Sequence, residues 1–316
     1  MIISVSRRTD IPAFYSKWFI NRIRAGYCTV PNPFNKNQVS HISLKLEDVD
    51  VIVFWTRNPR PLFPYLEELN QRGYRYYFQF TLMNNPRFLD TKSPPVDSSI
   101  KTFQELANFV GFQKVIWRYD PIVISEATNI NFHIETYSYI ASLLSGYTGR
   151  SVISIMDGYA KSNKRLRELE QAHNTKISNI AEVPQLFSDL LPSLAKMAHS
   201  NGMEIVSCAE EVNFQLYGIQ PGKCIDDNYI EKVFGLTVNH KKDPSQREAC
   251  GCVLSKDIGM YDTCLFGCQY CYATTSFDKA EENHRKHNPD SPSLIGWYES
   301  SKIDKKSKQL NLFSVQ

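Results

Sequence analysis

The sequence predicts an α/β fold built on parallel strands: a (β/α) barrel or partial barrel, TIM-like, with a cysteine-rich appendage near its C-terminal end. Three observations predict it. Six short β-branched and aromatic runs alternate with longer amphipathic stretches, the pattern of parallel strands joined by right-handed helical crossovers. No G-x-G-x-x-G or Walker sequence follows any of these runs, as a doubly wound nucleotide-binding sheet would normally require. Polar and charged groups gather just after the runs, at the carboxyl edge where parallel α/β folds build their sites.

In chain order, the predicted strands are Ile2 to Ser6, Val49 to Thr56, Tyr74 to Leu82, Lys114 to Asp120, Ser151 to Asp157 and Met203 to Cys208. Each is a nearly continuous apolar run, as expected of a strand buried on both faces. Predicted helices lie between them. Pro12 to Ala25 follows the first strand, Pro61 to Arg72 the second, Ile100 to Val110 the third and Phe132 to Ser145 the fourth, while Val183 to Asn201 precedes the sixth. Met1 to Ser6 runs into Arg7 and Arg8 without a basic leader or a small-residue cleavage site, so it reads as the first buried strand rather than a signal peptide.

Composition bounds the rest. A chain of 316 residues with 42% hydrophobic residues can bury one large core, or a core with a small appended domain. No apolar run approaches the roughly 20 residues that span a bilayer, which argues against a membrane protein. The formal charge of +3 neither demands nor forbids a nucleic-acid partner. The expected division is a barrel over residues 1–217, a cysteine-rich segment over 218–277 that completes the barrel mouth, and a terminal helix and tail over 278–316. Within the second part, Lys256 to Tyr261 reads as one last strand that delivers the cysteine loop to the mouth.

The chain has 8 cysteines, and their crowding predicts metal ligands in a reducing, cytoplasmic setting rather than disulfides. Cys264, Cys268 and Cys271 stand at C-x3-C-x2-C spacing. Three thiolates so placed grip three irons of a [4Fe-4S] cubane and leave the fourth iron open, whereas zinc ribbons use paired C-x2-C knuckles and ferredoxins close the cluster with a fourth cysteine. No cysteine follows Cys271. Cys208, Cys224, Cys250 and Cys252 are candidates for a second metal site, either another iron-sulfur cluster or a zinc ion; only Cys28 sits apart.

The segment from Cys264 to Cys271, with Tyr270 in the aromatic position and Gly267 permitting a tight wrap, resembles the signature of the radical S-adenosylmethionine (SAM) superfamily. From Gly267 to Ala273 it is locally similar to the spore photoproduct lyase branch. Ser6-Arg-Arg-Thr-Asp-Ile-Pro-Ala-Phe-Tyr15, with the blocks around Cys250 to Cys252 and Cys264 to Ala273, resembles a bacterial family called domain of unknown function 1848. The superfamily resemblance implies an enzyme with a barrel fold, SAM on the open iron, and an electron donor such as ferredoxin or flavodoxin. It also implies reductive cleavage of SAM to a 5′-deoxyadenosyl radical acting on a substrate, nucleic acid among the possibilities. Superfamily members place the three cysteines after their first strand. Here the order is permuted, and no Gly-Gly-Glu follows a strand. A circular permutation would set Lys256 to Tyr261 beside Ile2 to Ser6.

At the strand ends, Arg7, Arg57 and Arg118 are candidates for the carboxylate of SAM, and Asp120, Asp157 or Glu210 for its amine or ribose hydroxyls. Tyr270 joins them through its place in the motif. The alternative for each Arg and Asp is a structural ion pair. Two other functions fit the same residues: an iron-sulfur protein without SAM, acting in electron transfer or as a Lewis acid, and a zinc-stabilised module that binds nucleic acid or protein.

Overall fold

The structure, a computed structural model, describes residues 1–156, 160–178 and 183–299. Its centre is an eight-stranded sheet in the order β10-β1-β4-β5-β6-β7-β8-β9, every neighbouring pair parallel. The strands are β1 (Ile2–Val5), β4 (Val51–Thr56), β5 (Tyr76–Thr81), β6 (Val115–Ile122), β7 (Arg150–Ile155), β8 (Glu204–Cys208), β9 (Gln220–Gly222) and β10 (Lys256–Asp257). An antiparallel hairpin of β2 (Tyr27–Asn32) and β3 (Asn35–Ser43) stands outside the sheet. Among the described residues the hydrogen-bonded order begins at β10 and ends at β9, with no ladder between these two.

The helices are α1 (Ile11–Phe14), α2 (Ser16–Ala25), α3 (Phe63–Gln71), α4 (Val96–Val110), α5 (Ile130–Leu144), α6 (Ala160–His173), α7 (Leu191–Ser200), α8 (Asp227–Phe234) and α9 (Phe277–Arg285). Strand residues alternate between two cores, as the two-residue period of a strand requires. Ile3, Ile52, Phe78, Trp117 and Ile153 face a core that also takes Trp18 and Phe19 of α2, Leu66 and Leu69 of α3, Phe103 of α4, Ile140 of α5 and Leu194 of α7. Ile2, Val53, Tyr77, Ile116, Val152 and Val206 face the other, which is filled by α8 and by the chain around Cys224, Cys250 and Cys252. The crossover helices α2, α3, α4, α5 and α7 therefore share one face of the sheet.

β10 lies parallel to β1, pairing Ile3 with Lys256 and Ser4 with Asp257. The Asp257 carboxylate fixes this edge. It accepts from Ser4 Oγ at 2.9 Å, Ser6 Oγ at 2.6 Å, the Arg7 N–H at 2.8 Å and the Gly259 N–H at 3.0 Å. Gly259 passes so close to β1 that a Cβ there would meet Ser6 Oγ at 2.0 Å and Ser6 Cβ at 2.6 Å. Because Ser6 is held by Asp257 and cannot retreat freely, Gly259→Ala should push the following loop off β1. The expected cost is about 1–3 kcal/mol in a denaturation midpoint experiment; an unchanged midpoint would show that the edge yields.

His133 of α5 is fully buried, with Nε2 3.0 Å from the Val123 carbonyl and Nδ1 2.7 Å from the Tyr119 hydroxyl. A carbonyl only accepts, so Nε2 carries the proton and Nδ1 accepts from Tyr119. Burial pushes its pKa down to about 4, against the bond to Val123, which favours the charged form. The unfolded chain takes up this proton near its ordinary value and the folded chain does not. The stability contributed by the neutral ring is therefore complete above pH 6.5 and lost as pH falls toward 4, a difference of about 3 kcal/mol. Relative to a His133→Asn variant, the wild type should lose that amount between pH 7 and 4 in paired denaturation curves; parallel curves would contradict it.

Candidate functional site

A cavity of about 500 Å³ opens at the carboxyl ends of the parallel strands, a volume typical of a small-molecule site. Arg7 after β1, Arg57 after β4, Thr81 of β5, Arg118 and Asp120 of β6, Ser154 of β7 and Cys208 of β8 all line it. So do Cys224, Cys250, Cys252, Cys264, Cys268 and Cys271. Seven of the eight cysteines thus meet at one mouth, and Cys28 is buried apart in the helical core.

The loop carrying Cys264, Cys268 and Cys271 follows β10 and is held from three sides. Against the β5–α4 connection, the Gln269 N–H donates to Leu89 O at 3.0 Å and the Lys92 N–H to Phe266 O at 3.0 Å, flanking a bridge between Asp90 and Cys268. Gly267 adopts φ +70°, with its carbonyl accepting from Thr91 Oγ1 at 2.9 Å; this left-handed turn suits a residue without a Cβ. From α6, the Arg165 guanidinium donates to the carbonyls of Gln269 at 3.1 Å, Cys271 at 2.5 Å and Thr274 at 2.7 Å. From the end of α1, Phe14 packs on Phe266 at 4.7 Å between ring centres, and Tyr15, between α1 and α2, donates to Thr263 O at 2.7 Å.

Arg57 and Tyr270 are engaged with each other. The Arg57 guanidinium donates to Tyr270 and to Asp90, 3.1 Å from its Oδ2, and the Tyr270 hydroxyl donates to Asp90 Oδ1 at 2.7 Å. Burial works against the Arg57 charge, but Asp90 and the neighbouring Cys268 and Tyr270 outweigh it, and the pKa lies well above the ordinary value. Burial pushes Asp10 up to about 7, although the N–H groups of Arg57, at 2.6 Å, and Ala13, at 2.9 Å, donate to its carboxylate. Burial, then the nearby Asp10, raises the Cys264 thiol to about 12, and burial raises Cys268 well above its usual range. These thiols need a cation to become thiolates.

Residues 2–273 match the family described as Domain of unknown function (DUF1848). The chain belongs to that family. No curated protein and no solved structure matches it. The DUF1848 match ends two residues past Cys271, so it takes in the whole cavity and all 8 cysteines.

The second group of cysteines in this DUF1848 chain is in mutual contact. Cys208 Sγ and Cys224 Sγ are 2.9 Å apart, Arg118 Nη1 donates to Cys224 Sγ at 2.9 Å, and the Ile225 N–H donates to Cys252 Sγ at 3.4 Å. The neighbouring Cys224 lowers the Cys208 pKa, and Cys224 and Cys250 lower that of Cys252, while the same pairings raise Cys224 and Cys250. Among the described residues, no group of three or more His, Cys, Asp or Glu side chains is so placed that it could hold a metal ion without moving. All eight cysteines are unbridged.

Of the other expected site residues, Asp120 lines the cavity paired with Arg118 and accepts from Ser154 Oγ. Glu210 is not part of the lining: its carboxylate accepts the Ile155 N–H at 2.8 Å and ties β8 to the end of β7. Asp157 lies outside the described residues, as does the tail from 300 to 316. Arg7 Nη2 is buried without a hydrogen-bond partner, as is Thr9 Oγ1 beside it, and both residues line the cavity. Sequence reasoning missed Asp90, Arg165 and Asp257, whose importance comes from contacts with distant parts of the chain. Among the described residues, no helix is long and apolar enough to cross a membrane.

Proposed function

We propose that this chain is an iron-sulfur enzyme of the radical SAM type, with Cys264, Cys268 and Cys271 as the ligands of a [4Fe-4S] cluster. The observation that carries the reading is that β10 pairs with β1 and hands the C-x3-C-x2-C loop directly to the mouth of the parallel sheet. That is the relation between strand and loop that the superfamily resemblance calls for, with the sequence order permuted. The helices on one face, and the backbone bond from Val253, three residues before β10, to Ile225, three residues past β9, support a curled, partial TIM-like barrel. In a flat sheet β9 and β10, the two ends of the strand order, would lie roughly 34 Å from each other.

The donors are of the kind the group takes, three soft thiols on one tight loop that lines the cavity, and binding would draw them together from where they now stand. A bound cluster would supply an electron and an open iron at which SAM is split to methionine and a 5′-deoxyadenosyl radical. The chain's own residues do the rest. Arg7, with Nη2 unpartnered and buried in the lining, receives the carboxylate of SAM; Asp120 is placed to take an amine or hydroxyl. Arg57, Asp90 and Tyr270 position the cysteine loop, and a substrate seated in the mouth would complete the shielding of a reactive species from water and stray hydrogen donors. The electron comes from a reduced ferredoxin or flavodoxin, and the substrate enters the same mouth.

The missing Gly-Gly-Glu favours one other reading, an iron-sulfur protein that does not use SAM. Anaerobic reconstitution followed by iron and sulfide analysis and equilibrium binding of SAM separates the two. About four irons per chain with SAM binding that is weakened in Arg7→Ala supports the proposal; iron without SAM binding favours the second reading, and a folded protein that takes up no iron contradicts both.

A further inference from the structure

We propose that Cys208, Cys224, Cys250 and Cys252 form a second metal site, which holds a single tetrahedral ion of the zinc class at the seam of the sheet. The seam is where the fold needs a tie. β9 and β10 are the two ends of the strand order, and the four cysteines come from the end of β8, from the turn after β9 and from the segment that leads into β10. One backbone bond already crosses there, from the Val253 N–H to Ile225 O at 3.1 Å. An ion shared by these thiols would clamp the two edges through a second, stronger connection.

Contact distances choose between one ion and a cluster. Cys208 and Cys224 sulfurs are 2.9 Å apart, Cys252 Sγ lies 3.4 Å from the backbone nitrogen that follows Cys224, and Cys250, two residues before Cys252, lines the same cavity. Sulfurs around a tetrahedral ion with bonds of about 2.3 Å stand roughly 3.8 Å apart, a small opening of the thiols as they lie. A cubane carries its cysteine sulfurs on its outer corners, well beyond the reach of one another. The surroundings fit a thiolate site. Arg118 Nη1 donates to Cys224 Sγ at 2.9 Å, and the Ile225 N–H donates to Cys252 Sγ at 3.4 Å, the outer hydrogen bonds that orient metal ligands. Charge balances as well. Four thiols release four protons on binding a divalent ion and leave a net charge of −2, faced by the buried guanidiniums of Arg118 and Arg7, the second of which interacts with Cys252. This site does not depend on the cluster reading, although its thiols line the same cavity.

The test uses full-length protein in which Cys264, Cys268 and Cys271 are all changed to Ala, so that the first set binds nothing. The protein is stripped with a chelator under reducing conditions, then supplied with zinc or cobalt(II). The expected result is one zinc per chain, an intense visible cobalt spectrum typical of four sulfur ligands, and loss of both in a further Cys250→Ser, Cys252→Ser variant. Iron and sulfide bound in preference to zinc would overturn the single-ion proposal, as would a folded protein that takes up neither metal. A disulfide between Cys208 and Cys224, read as two fewer titratable thiols before reduction, would also overturn it. The cobalt spectrum is read on protein with this site intact, so the result stands even if the Ser variant fails to fold. Success or failure here leaves the first set's iron content, measured on the wild type, as a separate question.

Discussion

Replacing Cys268 with alanine should leave a folded protein that holds no [4Fe-4S] cluster at the C-x3-C-x2-C loop. Cys268 is the middle ligand, lines the cavity and is only partly buried, so the substitution removes a donor without opening a large void. The stability of the unloaded protein should change by no more than about 1 kcal/mol. Iron and sulfide bound by the first set should fall to background, and SAM cleavage with them. The loop's backbone is secured independently of the thiols, by Arg165, Leu89 and Lys92. Loss of iron can therefore be read as loss of a ligand rather than loss of the loop. Iron analysis and circular dichroism on the same preparation check both halves, and wild-type iron content in the variant would refute the assignment.

Asp90→Ala should be far more damaging to the fold. Its carboxylate accepts from Arg57, at 3.1 Å, from Asn85, at 3.0 Å, and from Tyr270, at 2.7 Å. Asp90 is 3% exposed, and Arg57 at 12% has little access to water with which to replace its partner. Removing one member of such a pair strands a buried guanidinium, for which about 3–5 kcal/mol is the usual cost. The same residue bridges the backbone of Cys268, so cluster uptake should fall as well. Asp90→Asn keeps the shape and part of the hydrogen bonding, and should lie between the two. Chemical denaturation of the three proteins side by side would test this ranking; an Ala variant within 1 kcal/mol of wild type would mean that Arg57 finds another partner.

The parallel strands were legible because both faces of each are buried, which writes continuous apolar runs such as Val51–Thr56 and Tyr76–Thr81 into the chain. The hairpin of β2 and β3 was not: Pro31 interrupts its first strand and its second is mostly polar. The segment from 218 reads as an appendage by composition, yet β9 and β10 add to the sheet. β10, two residues long, falls within the expected last strand Lys256 to Tyr261, whereas β9, with three residues, is too short to show a period. α6 also escaped, since its sparse apolar positions Leu166 and Leu169 face the Phe88–Leu89 loop and Tyr270 rather than the main core.

At the site, spacing identified Cys264, Cys268 and Cys271, and crowding identified the other four thiols. Spacing says nothing about support. Asp257 is reached from Ser4, Ser6 and Arg7 across some 250 residues, and Tyr270 meets Asp90 across 180, distances in sequence over which one chain offers no local signal. Arg57 and Tyr270, expected at the cofactor, line the cavity and are engaged with Asp90, while Glu210, also expected there, lies outside the lining and holds the backbone of β7.

The most direct test of the central claim is to reduce the reconstituted wild-type protein anaerobically, add SAM, and quantify 5′-deoxyadenosine and methionine. The account predicts both products in equal amounts, and neither from Cys268→Ala. A fully iron-loaded protein that leaves SAM intact would contradict it.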